Sequence, residues 1–383
     1  MIPLFKVLMS EEAPRRVAEV LRSGHVAQGP QVDAFEAALH GPLGLGQGQE
    51  ILAVSSGTAA LDLALHLCGV GPGDEVVTTA MTCTATNQHV VHRGARPVWA
   101  DVDRVTGLIS PASVAEKITE RTKAIVAVDW GGVPCDYDEL RRVAKTSARD
   151  GWRSPIPIIE DAAHAFLATY KGRPLAQGGG DLICWSLQAI KTLTTGDGGL
   201  LLAPHGYQAE RARLLRWFGL DRRSTANFRC SQDIRELGFK YHLNDIAAAI
   251  GLANLPLAVE AVKKHRANVR DLHLRLSSLQ IYKGRIALPP CNPEASWWVY
   301  TILVEDRPSF EAAMADAGIQ VSQVHARNDR HTAFRAAAGE QGPLPGLDWF
   351  SAREIAIPCG WWLSDSDIDH IVGAVTSWVT SER

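Results

Sequence analysis

From about residue 50 onwards, short apolar runs alternate with stretches in which apolar residues recur every three or four positions. Short, fully apolar runs are typical of strands buried on both faces, and the wider spacing is typical of helices. The predicted strands cover residues 51–54, 75–79, 97–100, 124–129, 156–160, 182–186 and 199–203. Helical patterns between them, such as 58–68 and 133–149, favour an α/β fold with a doubly wound, mostly parallel sheet.

A different pattern follows the last of these strands. A long helical stretch over residues 244–279 is expected to break near Pro256, because proline lacks the N–H group that a helix interior uses. The sequence WWVYTILVE at 297–305 predicts a strand, and residues 309–317 and 365–379 predict helices. This mixture favours a smaller α+β unit at the carboxyl end.

Length and composition fit a folded enzyme of more than one domain. The chain has 383 residues, of which 46% are hydrophobic and 21% are charged, as in ordinary soluble proteins. Domains commonly hold about 100–200 residues. We therefore expect a large domain over residues 1–250 and a small carboxyl-terminal domain over residues 251–383.

Charge and cysteine content exclude several classes of function. The net charge is −3 and no basic run is long enough to follow a phosphate backbone, so nucleic acid is not expected as a partner. No uninterrupted apolar run approaches the ~20 residues that span a bilayer, and the first residues do not resemble a signal peptide. Seven scattered cysteines form no CxxC pair and no zinc-type cluster, so no metal site is expected. A cytoplasmic protein with reduced thiols is the expectation.

The first candidate motif is VSSGTAAL at residues 54–61, where a predicted strand ends and a predicted helix begins. A helix N-terminus offers free N–H groups and a positive dipole end to a phosphate. Gly57 would allow close approach and Thr58 would add a hydroxyl group. The alternative is an ordinary helix cap, because serine and threonine are common at that position.

The second motif is PIPIIEDAAHA at residues 155–165, an apolar strand followed by acids and a histidine. In open α/β sheets ligands bind beyond the carboxyl ends of the strands, where Asp161 could hold a cationic ring nitrogen. A helix-capping role for Asp161 and a buried, hydrogen-bonded role for His164 remain the alternatives.

The third motif is DLICWSLQAIKTLTTGDGGLL at residues 181–201, in which Lys191 stands between a buried strand and a glycine-rich turn. Apolar surroundings favour the neutral amine, and only a neutral amine adds to a carbonyl group. An ordinary surface lysine is the alternative. Together the three motifs supply a phosphate cradle, an acid and an amine, which match the phosphate, ring nitrogen and aldehyde of pyridoxal phosphate (PLP).

The sequence also resembles the DegT/DnrJ/EryC1/StrS aminotransferases over nearly its whole length. The motifs that carry the resemblance are SGTAALDLAL, PGDEVVTT, EDAAHA, the segment from Ser186 through TTGDGG, and LGFKYHLNDIAAAIG. The resemblance implies the fold-type I aminotransferase architecture with PLP as cofactor. It also implies a homodimer whose active site is shared across the interface, and amination of nucleotide-linked keto sugars with glutamate as donor.

The resemblance assigns a role to each matching residue. Lys191 would form the Schiff base with PLP, Asp161 would bind the pyridine nitrogen and His164 would lie near the ring hydroxyl. The phosphate contacts would come from Gly57, Thr58 and Ser186. In the segment GFKYHLND, which reaches the partner's cofactor in the family, Lys240 stands where asparagine is common and would contact phosphate.

Two further positions depart from the family pattern. Cys83, in MTCTATN, stands where relatives usually carry an aromatic residue that stacks on PLP, and His242 replaces an arginine. The combination of MTCTATN, LQAIK, KYHLND and QVHARND most resembles enzymes that act on 4-keto-6-deoxy sugars, of the perosamine-synthase kind.

Two segments are candidates for substrate contacts. VHARNDRH at 324–331 offers His325, Arg327 and Asn328 to a sugar or diphosphate, since arginine can bind phosphate oxygens in pairs; a solvated loop is the alternative. The loop 219–233, which carries Arg222, Arg223 and Arg229, is a candidate lid over a nucleotide or simply a basic exposed loop. Most of the eleven tryptophans, which include the pair Trp297 and Trp298, are assigned to core and interface packing.

Three alternatives to a sugar aminotransferase stay open. Amination of a keto-cyclitol in aminoglycoside assembly needs the same residues. A sugar 3-dehydratase of the same family carries histidine in place of the lysine, so Lys191 argues against it. A PLP-binding regulator without turnover would not need Asp161 and Lys191, yet both are present.

Overall fold

The computed structural model describes residues 1–146, 155–204, 206–223, 231–281 and 284–381. Its strands are β1 (Glu50–Val54), β2 (Glu75–Thr79), β3 (Arg96–Ala100), β4 (Thr122–Val128), β5 (Ile158–Asp161), β6 (Thr169–Tyr170), β7 (Arg173–Pro174), β8 (Leu182–Ser186), β9 (Gly199–Ala203), β10 (Ile286–Ala287), β11 (Tyr300–Val304) and β12 (Glu354–Ile357). Its helices are α1 (Ala13–Ser23), α2 (Pro30–Leu43), α3 (Gly57–Leu67), α4 (Thr84–His92), α5 (Pro111–Lys117), α6 (Tyr137–Thr146), α7 (Leu175–Gly178), α8 (Tyr207–Leu215), α9 (Asp245–Leu276), α10 (Arg307–Asp316), α11 (Thr332–Ala338), α12 (Pro345–Arg353) and α13 (Asp365–Thr380).

Seven strands form one mixed sheet in the order β1-β9-β8-β5-β4-β2-β3. The pairs β2–β3, β2–β4, β4–β5 and β5–β8 are parallel, whereas β9 runs antiparallel to both β1 and β8. The prediction of a mostly parallel sheet covered by helices is therefore confirmed. Because β4, β5 and β8 run in the same direction, their carboxyl ends meet at one edge of the sheet.

Helix α3 covers one face of this sheet, and its sequence explains both its start and its burial. Ser56 caps it by accepting a hydrogen bond from Ala59 N at 3.0 Å, and eight of the eleven residues of the helix are buried. Burial of each leucine in such a helix contributes about 1.5–3 kcal/mol. This packing fixes the helix N-terminus at the edge where β8 ends.

The predicted break at Pro256 was wrong, since α9 continues through that residue. The missing N–H group is tolerated because the helix is held on several sides by α1, α2 and α13. By length and mean hydropathy, Asp245–Gln280 could span a membrane, which the search for an uninterrupted apolar run did not anticipate. Its contacts with three other helices show that it is a packed core helix here.

The carboxyl-terminal part contains a three-stranded antiparallel sheet, β10-β11-β12, with a hydrophobic core of its own. The first residues of the chain also pack there: Ile2 forms a bridge with Ile319, and Leu4 contacts the cluster around Trp298. Helix α9 crosses the expected boundary at residue 250 without interruption. The division into domains 1–250 and 251–383 stays a prediction.

Candidate active site

A pocket lies at the carboxyl ends of β4, β5 and β8, beside the N-termini of α3 and α4. Eight of the residues singled out from the sequence line it: Gly57, Thr58, Cys83, Asp161, His164, Ser186, Lys191 and His325. The other three, Lys240, Arg327 and Asn328, are not among its lining residues. The strand order explains the convergence, because three separate stretches of sequence end at the same sheet edge.

Glycine is required where α3 meets the sheet. A Cβ atom on Gly57 would lie 2.9 Å from Cβ of Ser186 and 3.1 Å from its Cα, which is too close for two carbon atoms. Gly199 likewise leaves room for the backbone of Ser56 and Gly57. Ser56 already accepts from Ala59 N, so the first-turn N–H groups left for a ligand are those of Gly57 and Thr58, both of which line the pocket. The geometry forms a cradle for an anion.

We expect Gly57→Ala to weaken binding of PLP by at least about tenfold, because the added methyl group would push α3 away from Ser186 and open the cradle. The measurement is a titration of cofactor-free protein with PLP, followed by absorbance. Gly373→Ala is the matched control, since Gly373 lies within α13 and a Cβ there meets nothing within 4 Å. Equal affinity in the two variants would argue against the cradle.

Asp161 is the last residue of β5 and is only 4% exposed. Its carboxylate accepts hydrogen bonds from Thr86 Oγ1 at 2.7 Å and from Ala163 N at 3.1 Å. Burial raises the pKa of Asp161, while those two hydrogen bonds and the charge of Lys191 oppose the rise. A buried carboxylate of this kind is stabilised by a cation in the same pocket.

Glu160 precedes Asp161 but serves a different purpose, because neighbouring residues of a strand point to opposite faces. Its buried carboxyl group accepts a hydrogen bond from Gly180 N at 2.6 Å and faces the buried carboxyl group of Asp129. Burial raises the pKa of both acids, and that of Asp129 reaches about 6. Burial and the charge of Asp129 raise the pKa of Glu160 well above its usual value, so Glu160 is the acid of the pair that favours the protonated form, and Asp161, not Glu160, lines the pocket.

His164 is 6% exposed and lies among other rings. Its ring stacks on that of Trp298, with centroids 4.0 Å apart, and runs nearly parallel to that of His325 at 5.7 Å. Gly131 N donates to its Nδ1 at 3.3 Å, so the proton of the neutral ring is on Nε2. Burial, followed by the charge of Lys191, holds the pKa of His164 well below its usual value. His164 is therefore a neutral hydrogen-bond donor.

Lys191 follows β8 in a short turn, in which its N–H donates to Gln188 O at 2.8 Å. Burial lowers the pKa of its amine to about 7, and the negative charge of Asp161 only partly opposes this. A substantial fraction of the amine is therefore neutral at physiological pH. The side chain has the nucleophilic form that its predicted role requires.

Trp298 is a neighbour of Lys191 that sequence reasoning assigned only to packing. Lys191 Nζ lies 3.5 Å from the centroid of the Trp298 ring, and the indole is 3% exposed. It belongs to the apolar run before β11, more than one hundred residues away in sequence. An apolar run of this kind gives no signal that one of its rings touches a lysine.

Cys83 and His325, which come from distant parts of the chain, both line the pocket. Cys83 precedes α4 and lines the pocket, as its place in the family pattern implied. His325 Nε2 is buried and has no hydrogen-bond partner among the described residues. Burial lowers the pKa of His325 to about 4, so its ring is neutral. His325 can therefore exchange a hydrogen bond with a bound molecule.

Arg327 and Asn328 are engaged within the chain. Arg327 is 7% exposed and pairs with Asp348 and with Asp329, the latter at 2.6 Å. Asn328 has no exposed surface and donates from Nδ2 to Thr82 O at 2.8 Å. In this structure the Asn328 side chain is therefore engaged in hydrogen bonds within the chain, and its predicted contact with substrate stays a prediction. Arg327 lines a neighbouring cleft instead.

Replacing Asn328 by alanine is expected to lower stability by about 1–3 kcal/mol, because Thr82 O and the side chain of Asn87 would lose buried hydrogen bonds. Thermal unfolding of the cofactor-free protein measures the loss. Glu340→Ala, at an exposed position, should not change the unfolding temperature. If the alanine variant had wild-type stability but a raised KM for the keto substrate, the result would support the predicted contact between Asn328 and substrate.

Lys240 is not among the residues that line this pocket, although Tyr241 O accepts a hydrogen bond from Ser55 N, just before the cradle. Lys240 is exposed and forms a bridge with Trp217. His242 contacts the Trp217 ring at 3.8 Å, and burial lowers its pKa to about 4. Of the predicted lid, residues 224–230 lie outside the described part of the chain, Arg229 among them.

The two described arginines of that loop have partners within the chain. Arg222 donates to Gln28 O at 2.8 Å, and Arg223 pairs with Glu210 at 2.6 Å.

The pocket fits PLP on three independent grounds. The cradle at Gly57 excludes a Cβ atom, Asp161 is buried with no cationic hydrogen-bond partner in the part of the chain that the structure describes, and Lys191 carries an amine that is easily deprotonated. These are the groups that bind a phosphate, a pyridine nitrogen and an aldehyde. The cradle residues would hold the phosphate, and Asp161 would hold the ring nitrogen.

Comparison with known proteins agrees with this chemistry. The DegT/DnrJ/EryC1/StrS aminotransferase family matches residues 8–376. The sugar aminotransferase CalS13 from Micromonospora echinospora is 37% identical and superimposes with a TM-score of 0.91, over 98% of this chain and 100% of that one. AtS13 from Actinomadura melliaura is 39% identical with a TM-score of 0.90, over 98% of both chains.

A third relative has been observed with its cofactor. The putative sugar aminotransferase Spr1654 from Streptococcus pneumoniae, in its PMP form, is 28% identical with a TM-score of 0.88, over 99% of this chain and 97% of that one. It is also known in a PLP form. These matches confirm the expected architecture and cofactor: the chain belongs to the DegT/DnrJ/EryC1/StrS aminotransferase family and is a PLP-dependent aminotransferase of fold type I.

Proposed function

We propose that this aminotransferase moves an amino group from glutamate to the C4 keto group of a nucleotide-linked 4-keto-6-deoxy sugar. The exchange yields 2-oxoglutarate and the amino sugar. The observation that carries the proposal is the convergence of Lys191, Asp161 and the α3 cradle in one pocket. The sugar substrate is supported by the names of CalS13 and Spr1654, which are both called sugar aminotransferases, and by the motifs MTCTATN and QVHARND.

Each pocket residue has a role in this proposal. When bound, PLP supplies an aldehyde that accepts amino groups and a cationic ring that withdraws electrons from the substrate carbon. Lys191 would hold the cofactor through its amine, and the same amine would move the proton in each half of the exchange. Asp161 keeps the ring nitrogen protonated. Gly57, Thr58 and Ser186 bind the phosphate.

Two histidines complete the site. His164 is a neutral donor through Nε2 and is assigned to the ring hydroxyl. The unpartnered Nε2 of His325 is assigned to a polar group of the sugar. Because Arg327 is committed to two aspartates, we assign it no contact with substrate.

Assembly and location belong to the same proposal. We propose a cytoplasmic homodimer in which Lys240 of one protomer contacts the cofactor phosphate of its partner. The exposure of Lys240, away from its own chain's pocket, supports a contact of this kind.

A panel of keto substrates tests the proposed function. Purified holoenzyme with glutamate is assayed against nucleotide-linked 4-keto-6-deoxy sugars and against keto-cyclitols, and release of 2-oxoglutarate is measured. We expect turnover with a nucleotide sugar. Turnover with a cyclitol alone would assign the enzyme to aminoglycoside chemistry, and no turnover with any member would favour a PLP-binding regulator.

A further inference from the structure

Trp298 connects the carboxyl-terminal part of the chain to the turn that carries Lys191. It lies just before β11 and is buried in a small cluster with Leu4, Val299 and Ala356. Its indole Nε1–H donates to Ile190 O at 2.9 Å, one residue before the lysine. The backbone of the lysine turn is therefore anchored to the indole.

The same ring covers the lysine amine. Lys191 Nζ lies 3.5 Å from the centroid of the Trp298 ring, and His164 stacks on this ring with an angle of 27° between planes. Phe5, from the amino-terminal segment, stacks on it at 4.8 Å. A single buried side chain thus contacts the lysine, its backbone and the neighbouring histidine.

Two opposing effects act on an amine in this position. The face of an indole attracts an ammonium group, which favours the charged form. Exclusion of water disfavours the charged form, and burial is the largest influence on the pKa of Lys191, greater than the attraction of Asp161. The titratable groups around the amine are Asp161, Cys83, His164 and His325. Because both histidines are neutral, removal of the Trp298 ring changes the pKa of the Lys191 amine mainly by letting water reach it.

We propose that Trp298 is a positioning residue of this active site, which fixes the Lys191 side chain, excludes water from its amine and holds His164 beside it. The proposal rests on the proposed role of Lys191 as the lysine that carries PLP. Trp298 itself is not among the residues that line the pocket, so it acts through its neighbours.

The test measures the proton affinity of the Lys191 amine in cofactor-free protein, without turnover. Brief exposure to cyanate over a range of pH carbamylates neutral amines, and mass spectrometry of the Lys191 peptide gives the pH of half-maximal reaction. The variants are Trp298→Leu and Trp298→Phe. Trp297→Leu is the matched control, because Trp297 is equally buried but donates to Asn292 O.

In the wild-type protein we expect a midpoint near pH 7. Trp298→Leu should raise it by about one unit or more, a tenfold gain in proton affinity, because water reaches the ammonium group. Trp298→Phe leaves a smaller ring and removes the N–H donor, so a rise of roughly half a unit is expected. Trp297→Leu should leave the midpoint unchanged.

An unchanged or lowered midpoint in Trp298→Phe would overturn the proposal, even if the leucine variant does not fold. An equal rise in the Trp297 control would also overturn it, because the effect would then be general loosening. Failure of the proposed function would give a different result. The wild-type protein would then bind PLP without attachment to Lys191, whatever midpoint the Trp298 variants show.

Discussion

Lys191→Ala is expected to abolish transamination, with a loss of at least about 10⁴-fold, while the chain folds as before. The loss is large because one amine both attaches the cofactor and moves the proton. Folding should persist because the Lys191 side chain lines a pocket and its removal leaves Asp161 in its hydrogen bonds with Thr86 and Ala163. The measurements are 2-oxoglutarate release with the best substrate and the visible absorbance of bound PLP.

Lys263→Ala is the matched control for this change. Lys263 is exposed on α9 and pairs with Glu260 at 2.7 Å, far from the pocket lining. The control should keep both activity and absorbance. Wild-type turnover in Lys191→Ala would show that another amine carries the cofactor.

Asp161→Asn is expected to reduce kcat by about 10²–10⁴-fold and to leave PLP bound. Asparagine has nearly the same volume, and its carbonyl oxygen can still accept a hydrogen bond from Thr86. A neutral amide does not hold the ring nitrogen protonated, so the bound cofactor withdraws electrons less strongly. Steady-state kinetics and PLP titration separate the two effects.

Asp138→Asn serves as the control, since Asp138 lies at the surface and pairs with Lys171. It should leave kcat unchanged. If Asp161→Asn and Asp138→Asn had the same kcat, protonation of the PLP ring nitrogen would not depend on Asp161.

Local patterns predicted the central strands well, because those strands are buried on both faces. The bounds of β8 and β9 agree with the predicted residues 182–186 and 199–203. The antiparallel direction of β9 was not predictable in this way, since strand direction depends on pairing between distant segments. Helix α4 was also missed, because TATNQHVVH has no clear apolar face and no capping side chain.

The predicted helix over residues 133–149 shows the limit at element ends. The structure begins α6 at Tyr137, and residues 147–149 lie outside the described part of the chain. Just before the predicted helix, residues 130–132 form a short turn in which Gly131 has φ of 67°. That turn presents the Gly131 N–H group to His164, a tertiary contact that no local pattern encodes.

Residues of the pocket that follow strands were found from the sequence because strand ends point to the same sheet edge. Trp298 was not found, since a tryptophan in an apolar run has the pattern of a core residue. Arg327 was predicted to contact substrate because arginine can bind phosphate oxygens in pairs, but in the structure it pairs with Asp329 and with Asp348, which is 21 residues away. Motifs indicate which chemistry a chain contains, but tertiary pairing determines which charges remain available.

Reduction of the holoenzyme with borohydride, followed by peptide mass spectrometry, tests the central claim most directly. Reduction fixes PLP to the lysine that holds it, so the modified residue can be located in the sequence. The account predicts one pyridoxyl group per chain, on Lys191. Modification of a different lysine, such as Lys240, or a holoenzyme with no modified lysine would contradict it.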